Sequence, residues 1–280
     1  MDITVFLAVL AAAAMHAAWN VMVKLRLDRF LSLFLIQTLM GVMGVGMLAI
    51  FAFPLRESWP YALASGLLHT GYFVFLARSY RTGDLSQVYP IARGTAPLLT
   101  LIVVWFAANE QIGLAGAAGV GVLVAGIWLV GLAGRGQLRL DGLTLFFALG
   151  TSVFIAAYTV VDGLGGRASG SPSGYTALVF VLDAMFLLGW ALAVRGPSIL
   201  REVAPFWKSG VVGAVLSASA YWIVIWAMTE AHIAAVAALR ETSILIVMLM
   251  SARLLNEPVT LPRIGGAILI VIGAVMLRLA

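Results

Sequence analysis

Apolar runs of about twenty residues recur along this chain with only short polar breaks between them, the length one helix needs to cross roughly 30 Å of hydrocarbon. The runs lie at about 3–22, 30–53, 61–80, 87–107, 112–133, 142–162, 175–194, 207–228, 233–253 and 263–279. The breaks carry charge or turn residues, as in Pro54 to Pro60, Arg81 to Asp84, Gly163 to Gly174 and Asn256 to Pro262. The pattern predicts ten transmembrane helices, and no break is long enough for a soluble domain.

Composition agrees. The chain is 62% hydrophobic and 10% charged, where a soluble domain runs near half apolar and a quarter charged. With no cysteine, thiolate metal sites, disulfides and cysteine nucleophiles are excluded. A net charge of +5 could point to nucleic acid, but the basic residues stand singly or in small groups between apolar runs, so no nucleic-acid partner is expected. Lys24, Arg26, Arg29, Arg78, Arg81, Arg135, Arg139, Arg195, Arg201, Lys208, Arg253 and Arg263 fall on one side of the predicted spans. Arg56, Arg167 and Arg278 fall on the other, with Arg93 and Arg240 inside spans. Because cytoplasmic loops are basic, this count places both termini outside. The first run begins directly after Met1-Asp2 and is followed by basic residues, as expected of a retained helix rather than a cleaved signal peptide.

A shift of 147 residues lays Arg93 on Arg240, Thr95 on Thr242, Leu98 on Leu245, Asn109-Glu110 on Asn256-Glu257, Leu114 on Leu261, Gly119 on Gly266, Val124 on Val271 and Gly126 on Gly273. A weaker match sets Ala17-Ala18-Trp19 against Ala156-Ala157-Tyr158. The halves, 1–140 and 141–280, therefore read as duplicated five-span units of one membrane domain. Five is odd, so the second copy enters the membrane from the opposite side. Such an inverted repeat is typical of secondary transporters, whose sites lie near the midplane between the copies. The expected fold is all-α, a polytopic membrane protein with ten transmembrane helices in two inverted-topology five-helix repeats.

Each unit has an Asn-Glu pair after its fourth span and a glycine-rich fifth span, the second running from Asn256-Glu257-Pro258 through Gly265-Gly266 to Gly273. In this the chain resembles the EamA family of the drug/metabolite transporter superfamily over nearly its whole length. The resemblance implies a central cavity lined chiefly by the first, third, fourth, sixth, eighth and ninth spans, a bacterial inner-membrane location, a monomer, and export of metabolites such as amino acids or amphiphilic drugs. It also implies cytoplasmic termini, opposite to the charge count.

Charges inside a span cost roughly 3 kcal/mol or more at the bilayer centre, so they are normally paired or face a wet cavity. Arg93 and Arg240 are candidates to bind a substrate carboxylate, for which the planar guanidinium is suited. The alternative is a structural ion pair with Glu241 or Asp183. His16, Asp183 and Glu241 are candidates for proton coupling. Trp19, His69, Tyr72, Tyr89, Tyr158 and Trp222 fall at helical spacing with polar neighbours and could line a site for a zwitterion with an apolar side chain or a flat cation. Trp59, Trp105, Tyr175 and Trp207, near span ends, are expected at the membrane interface. Pro90 and Pro97 predict an interruption of the fourth span that the ninth, with Ala237 and Ile244 in their places, lacks. No phosphate-binding loop, HExxH or GxSxG occurs, and no cofactor or metal is expected. Three classes stay open: an exporter of amino acids, a transporter of sugar phosphates or lipid-linked solutes, and an intramembrane enzyme using His69, Asp183 or Glu241. The last needs at least two of those three within hydrogen-bond reach.

Overall fold

The computed structural model describes residues 1–23, 29–82, 85–132, 141–254 and 260–280. Lys24, Arg26, Arg135, Arg139 and the Asn256-Glu257 pair lie outside these residues, as do the side chains of Arg29, Arg81 and Tyr89.

The first unit consists of α1 (Ile3–Val23), α2 (Arg29–Ile50), α3 (Trp59–Thr82), α4 (Leu85–Ala107) and α5 (Gly113–Leu132). The second has α6 (Gly142–Ala168), α7 (Pro172–Arg195), a short surface helix α8 (Ser198–Val203), α9 (Trp207–Glu230), a span divided into α10 (Ile233–Arg240) and α11 (Ser243–Leu254), and α12 (Leu261–Leu279). No strand occurs among the described residues. Nine stretches among them are long and apolar enough to cross a membrane. The tenth span, α3, has the length, at 24 residues, but His69, Thr70 and Tyr72 interrupt its apolarity. Large apolar side chains on the outside, such as Val42, Phe106, Phe146 and Ile268, form the surface that lipid would cover.

Packing follows the duplication. α2 packs on its own counterpart α7, and α5 on its counterpart α12. α1 packs on α9 as α6 packs on α3, and α4 crosses α6 as α10 and α11 cross α1. The pairing of elements is that of a two-fold axis in the membrane plane, the signature of an inverted repeat.

The matched glycines explain the closest pairing. A Cβ on Gly126 would stand 2.6 Å from the Gly266 carbonyl oxygen, and one on Gly273 would stand 2.8 Å from that of Gly119. Backbones of α5 and α12 thus touch, which supplies packing where no water-driven force joins helices in lipid.

Candidate functional site

Among the described residues, the span formed by α10 and α11 is interrupted between Arg240 and Ser243. Glu241 and Thr242 bond back only three residues, Glu241 N–H to Ala238 at 3.0 Å and Thr242 N–H to Leu239 at 3.0 Å. Ile244 and Leu245 repeat that spacing at 3.0 and 2.9 Å, and the Thr242 hydroxyl donates to the Leu239 carbonyl at 2.7 Å. A tight 3₁₀-type turn therefore replaces α-helix in midmembrane, a feature that often marks a hinge. The matched α4 is continuous despite Pro90 and Pro97. The interruption expected in the fourth span and not the ninth is therefore reversed. Ser152 of α6 shares its one hydroxyl proton among the Ala92 carbonyl at 2.9 Å, the Ile91 carbonyl at 3.4 Å and its own helix's Ala148 carbonyl at 3.2 Å, a contact that ties α6 to α4 between the two prolines.

At the turn, Glu241 takes a two-point clamp from α4: Arg93 Nε donates to Oε2 at 2.9 Å, and Arg93 Nη2 lies 2.8 Å from Oε1. All three groups, Arg93, Arg240 and Glu241, are buried. Arg240 stands off, its Nε 3.7 Å from Glu241 Oε1 and without a hydrogen bond. The two matched arginines are thus chemically unlike: one is committed to a carboxylate and the other is not.

A second polar group links α2, α3, α6, α7 and α9. Asp183 Oδ2 accepts from the Gln37 amide at 3.1 Å and lies 3.4 Å from His69 Nδ1, while its Oδ1 is buried without a partner. His69 Nδ1 is also 3.1 Å from the Ser65 carbonyl and 3.2 Å from its hydroxyl, so one ring proton serves one of several acceptors. Tyr221, edge-on to the His69 ring at 5.7 Å, donates its hydroxyl proton to Asp162, and so does Tyr175 at 3.1 Å. Rings cover the group: His69 stacks on Tyr158 with centroids 4.0 Å apart, and Tyr72 meets Tyr158 edge-on at 5.8 Å.

Between the two units lies a cavity of about 90 Å³. Its wall brings together His16, Trp19, His69, Tyr72, Arg93, Tyr158, Asp183 and Arg240 of the residues singled out from sequence. Gln37, Ser217 and Tyr221 join them, with Leu33, Ile36, Met40 and Phe73 as the apolar part. The lining comes from the first, third, fourth, sixth, eighth and ninth spans and also from α2 and α7. Glu241, buried against Arg93, is not part of that wall. Trp222 is elsewhere: its Nε1 donates to Ser173 at 3.0 Å and its ring meets Phe51 edge-on. Tyr89 sits on α4, its side chain outside the described residues.

A third cluster closes the face of the chain termini, where Met1 bonds the carbonyl of Arg278. Asn109, in the left-handed region at φ 50°, ends α4, and the Glu110 N–H returns to the Val104 carbonyl at 3.2 Å. That turn aims Glu110 at the N-terminus of α10. Its carboxylate accepts from the Ile233 N–H at 3.0 Å and from Arg167 at 3.0 Å, and lies 3.0 Å from His232 Nδ1. Arg167 in turn donates to the carbonyls of Met228 and Ala231 at the end of α9. An acid at a helix start and a base at a helix end both complement the helix dipoles. An open depression with Glu110, Arg167 and His232 in its wall lies outside this latch.

Sequence reasoning missed Asp162 because its apolar run was ended there. The helix continues to Ala168, which leaves Asp162 fully buried. The same slip misplaced Tyr175, expected at the interface: it is completely buried as a donor to Asp162. A run of small residues beyond Asp162, Gly163 to Gly166, was read as a turn although in lipid it packs a helix. Trp59, Trp105 and Trp207 are exposed near span ends.

The sequence model of the EamA-like transporter family matches this chain twice, over residues 3–132 and 142–279. The uncharacterized transporter YvbV of Bacillus subtilis (strain 168) is 27% identical over 247 residues, 84% of this chain and 78% of that protein. A crystal structure superposes over 100% of this chain and 98% of its own with a TM-score of 0.80 at 18% identity, which shows a shared fold.

Proposed function

Because this chain belongs to the EamA-like transporter family, we propose that it is a secondary transporter exporting amino acids with aromatic or other apolar side chains, and amphiphilic relatives of them, across a bacterial inner membrane by alternating access. The family and the transporter from Bacillus subtilis support transport in general. The observation that carries the finer proposal is a cavity between the two units in which rings and aliphatic groups surround the Arg240 guanidinium, whose Nε has no hydrogen bond. Pockets of this kind, mostly apolar with a few placed polar groups, suit small amphiphilic solutes. A monomer is sufficient, since both units contribute to the cavity within one chain.

A sugar phosphate or lipid-linked headgroup would draw on both arginines, but Arg93 is already clamped to Glu241. The approach of His69 to Asp183, 3.4 Å, falls outside the hydrogen-bond reach of about 2.6–3.2 Å asked of an intramembrane enzyme. In a family of transporters the same pair serves a solute or a proton equally well. Uptake into proteoliposomes of a panel of labelled amino acids, with and without a pH gradient, tests the proposal. Movement of phenylalanine or leucine above protein-free vesicles supports it, and a pH-gradient requirement assigns proton coupling. No movement of any amino acid removes it.

A further inference from the structure

We infer that the cavity recognises a zwitterion at two poles, with Arg240 on the carboxylate and Asp183 on the ammonium, while Arg93 has a supporting role only. This deepens the exporter proposed above and rests on it. Polar side-chain atoms buried in an apolar wall normally find a partner, because each one left without costs about 1–3 kcal/mol. Arg93 aside, whose Nη2 faces Glu241 Oε1 at 2.8 Å, three polar atoms in this wall have no hydrogen bond: Arg240 Nε, Asp183 Oδ1 and Trp19 Nε1. All three residues line the cavity and all are more than nine-tenths buried.

The chemistry of the orphans describes their missing partner. Arg240 offers donors and a positive charge, so its complement is an anionic acceptor. Asp183 offers an acceptor, so its complement is a donor, best a cationic one. A neutral solute would leave both charges unanswered, and a solute with one charge would answer only one. The two arginines also differ in what they can do. Glu241 already takes both faces of the Arg93 fork that it can reach, at 2.9 and 2.8 Å, whereas its contact with Arg240 is long, at 3.7 Å. A substrate carboxylate can therefore bind Arg240 without first displacing an ion pair.

Asp183 is equally poised. Gln37 and His69 hold one carboxylate oxygen, which fixes the group and leaves the other turned to a guest. The orphaned Trp19 Nε1 is a further donor, so its complement is an acceptor such as the second carboxylate oxygen. Leu33, Ile36, Met40 and Phe73 on the same wall receive the apolar side chain.

The test is competition against labelled phenylalanine in proteoliposomes, with 3-phenylpropionate, which lacks the ammonium, and phenethylamine, which lacks the carboxylate. In the unaltered protein unlabelled phenylalanine competes at least about tenfold better than either single-charge analogue, since a site built for a polar group rejects the compound lacking it. Asp183→Asn, nearly isosteric and still able to hold Gln37, brings 3-phenylpropionate level with phenylalanine and leaves phenethylamine poor. Arg240→Gln does the reverse. Equal competition by all three compounds in the unaltered protein overturns the two-pole site even if a variant does not fold, and so does an unchanged order in folded Asp183→Asn. If phenylalanine neither moves nor competes, the exporter proposal fails and this inference with it.

Discussion

The fourth span of each unit descends from one ancestral helix, yet the two copies have taken opposite roles. α4 carries two prolines and runs unbroken, while its counterpart has none and breaks at Glu241-Thr242. Proline removes one donor and clashes with the turn before it, yet α4 stays helical through both, packed on α6, where Ser152 bonds the Ala92 carbonyl. In the second copy the break comes from tertiary contacts. The short α10 is buried along its whole length and is held at both ends by acid-base contacts with the first unit: Glu110 at its start and Arg93, through Glu241, at its end. A helix interruption in a membrane protein is therefore better sought where charges converge than where prolines occur. The comparison also casts α10 as the part that moves, since it spans from the outer depression, lined by Ala235, to the central cavity, lined by Arg240.

The strongest way to break this asymmetry is to remove the pin at the end of α10. Glu241→Ala leaves Arg93 buried without its carboxylate. Removing one partner of a buried ion pair costs about 3–5 kcal/mol. Loss of the folded fraction in detergent and loss of transport are expected. Arg93→Met with Glu241→Met should recover much of the stability, because an apolar pair of similar size replaces both charges. Thermal unfolding of Arg93→Met, Glu241→Met and the double variant forms the cycle. A double variant no more stable than Glu241→Met would mean that the clamp is not a pairwise unit.

The pin at the start of α10 should matter next. Glu110→Gln keeps an acceptor for the Ile233 N–H but gives up the charge that Arg167 answers, and Arg167 is partly exposed, so its share is screened. About 1–2 kcal/mol of bias toward the closed face is expected to disappear. The chain has no cysteine, so one introduced in place of Ala235, a buried residue of α10 beside the depression, is a unique reporter. A membrane-impermeant maleimide should label it several-fold faster when Glu110→Gln is added. Equal rates would take the latch out of the mechanism.

A smaller effect is expected inside the turn. The Thr242 hydroxyl donates to the Leu239 carbonyl, which the 3₁₀ geometry leaves short of its usual i+4 donor. Thr242→Ala removes a hydrogen bond worth about 1 kcal/mol. The unfolding midpoint should fall by about 2–4 °C, with transport reduced and not abolished. A midpoint that rises would indicate that the turn is strained and that α10 and α11 gain by joining.

Much of this was legible in the sequence. Hydrophobic run length gave the spans, since a bilayer fixes it, and the offset from Arg93 to Arg240 set α4 against the span of α10 and α11. The cavity residues were legible as polar groups stranded in apolar runs. What the sequence could not give was who pairs with whom. Arg93 and Arg240 occupy matched positions, and only the packing of α4 against α10 decides which of them Glu241 takes. Asp162 was hidden by a boundary: glycines that end a helix in water can pack one in lipid, so the run was cut at the residue that mattered. The prolines misled for a related reason. Local propensity sets the cost of an interruption, and tertiary contacts decide where it falls.

Pro97 is the residue at which that last point can be made quantitative, through the smallest effect expected. Its missing N–H leaves the Arg93 carbonyl without the usual i+4 donor, so Pro97→Ala restores a ladder bond in a helix that is already continuous. If the prolines of α4 served as a hinge, restoring the bond would stiffen it, and transport would slow by tenfold or more. If the moving element is α10, the substitution acts on a static helix. Transport should then stay within about twofold and stability should be unchanged or raised by up to about 1 kcal/mol. Rates measured alongside Thr242→Ala in the same vesicles decide between the two helices: a large loss at Pro97 with none at Thr242 would return the hinge to the first unit.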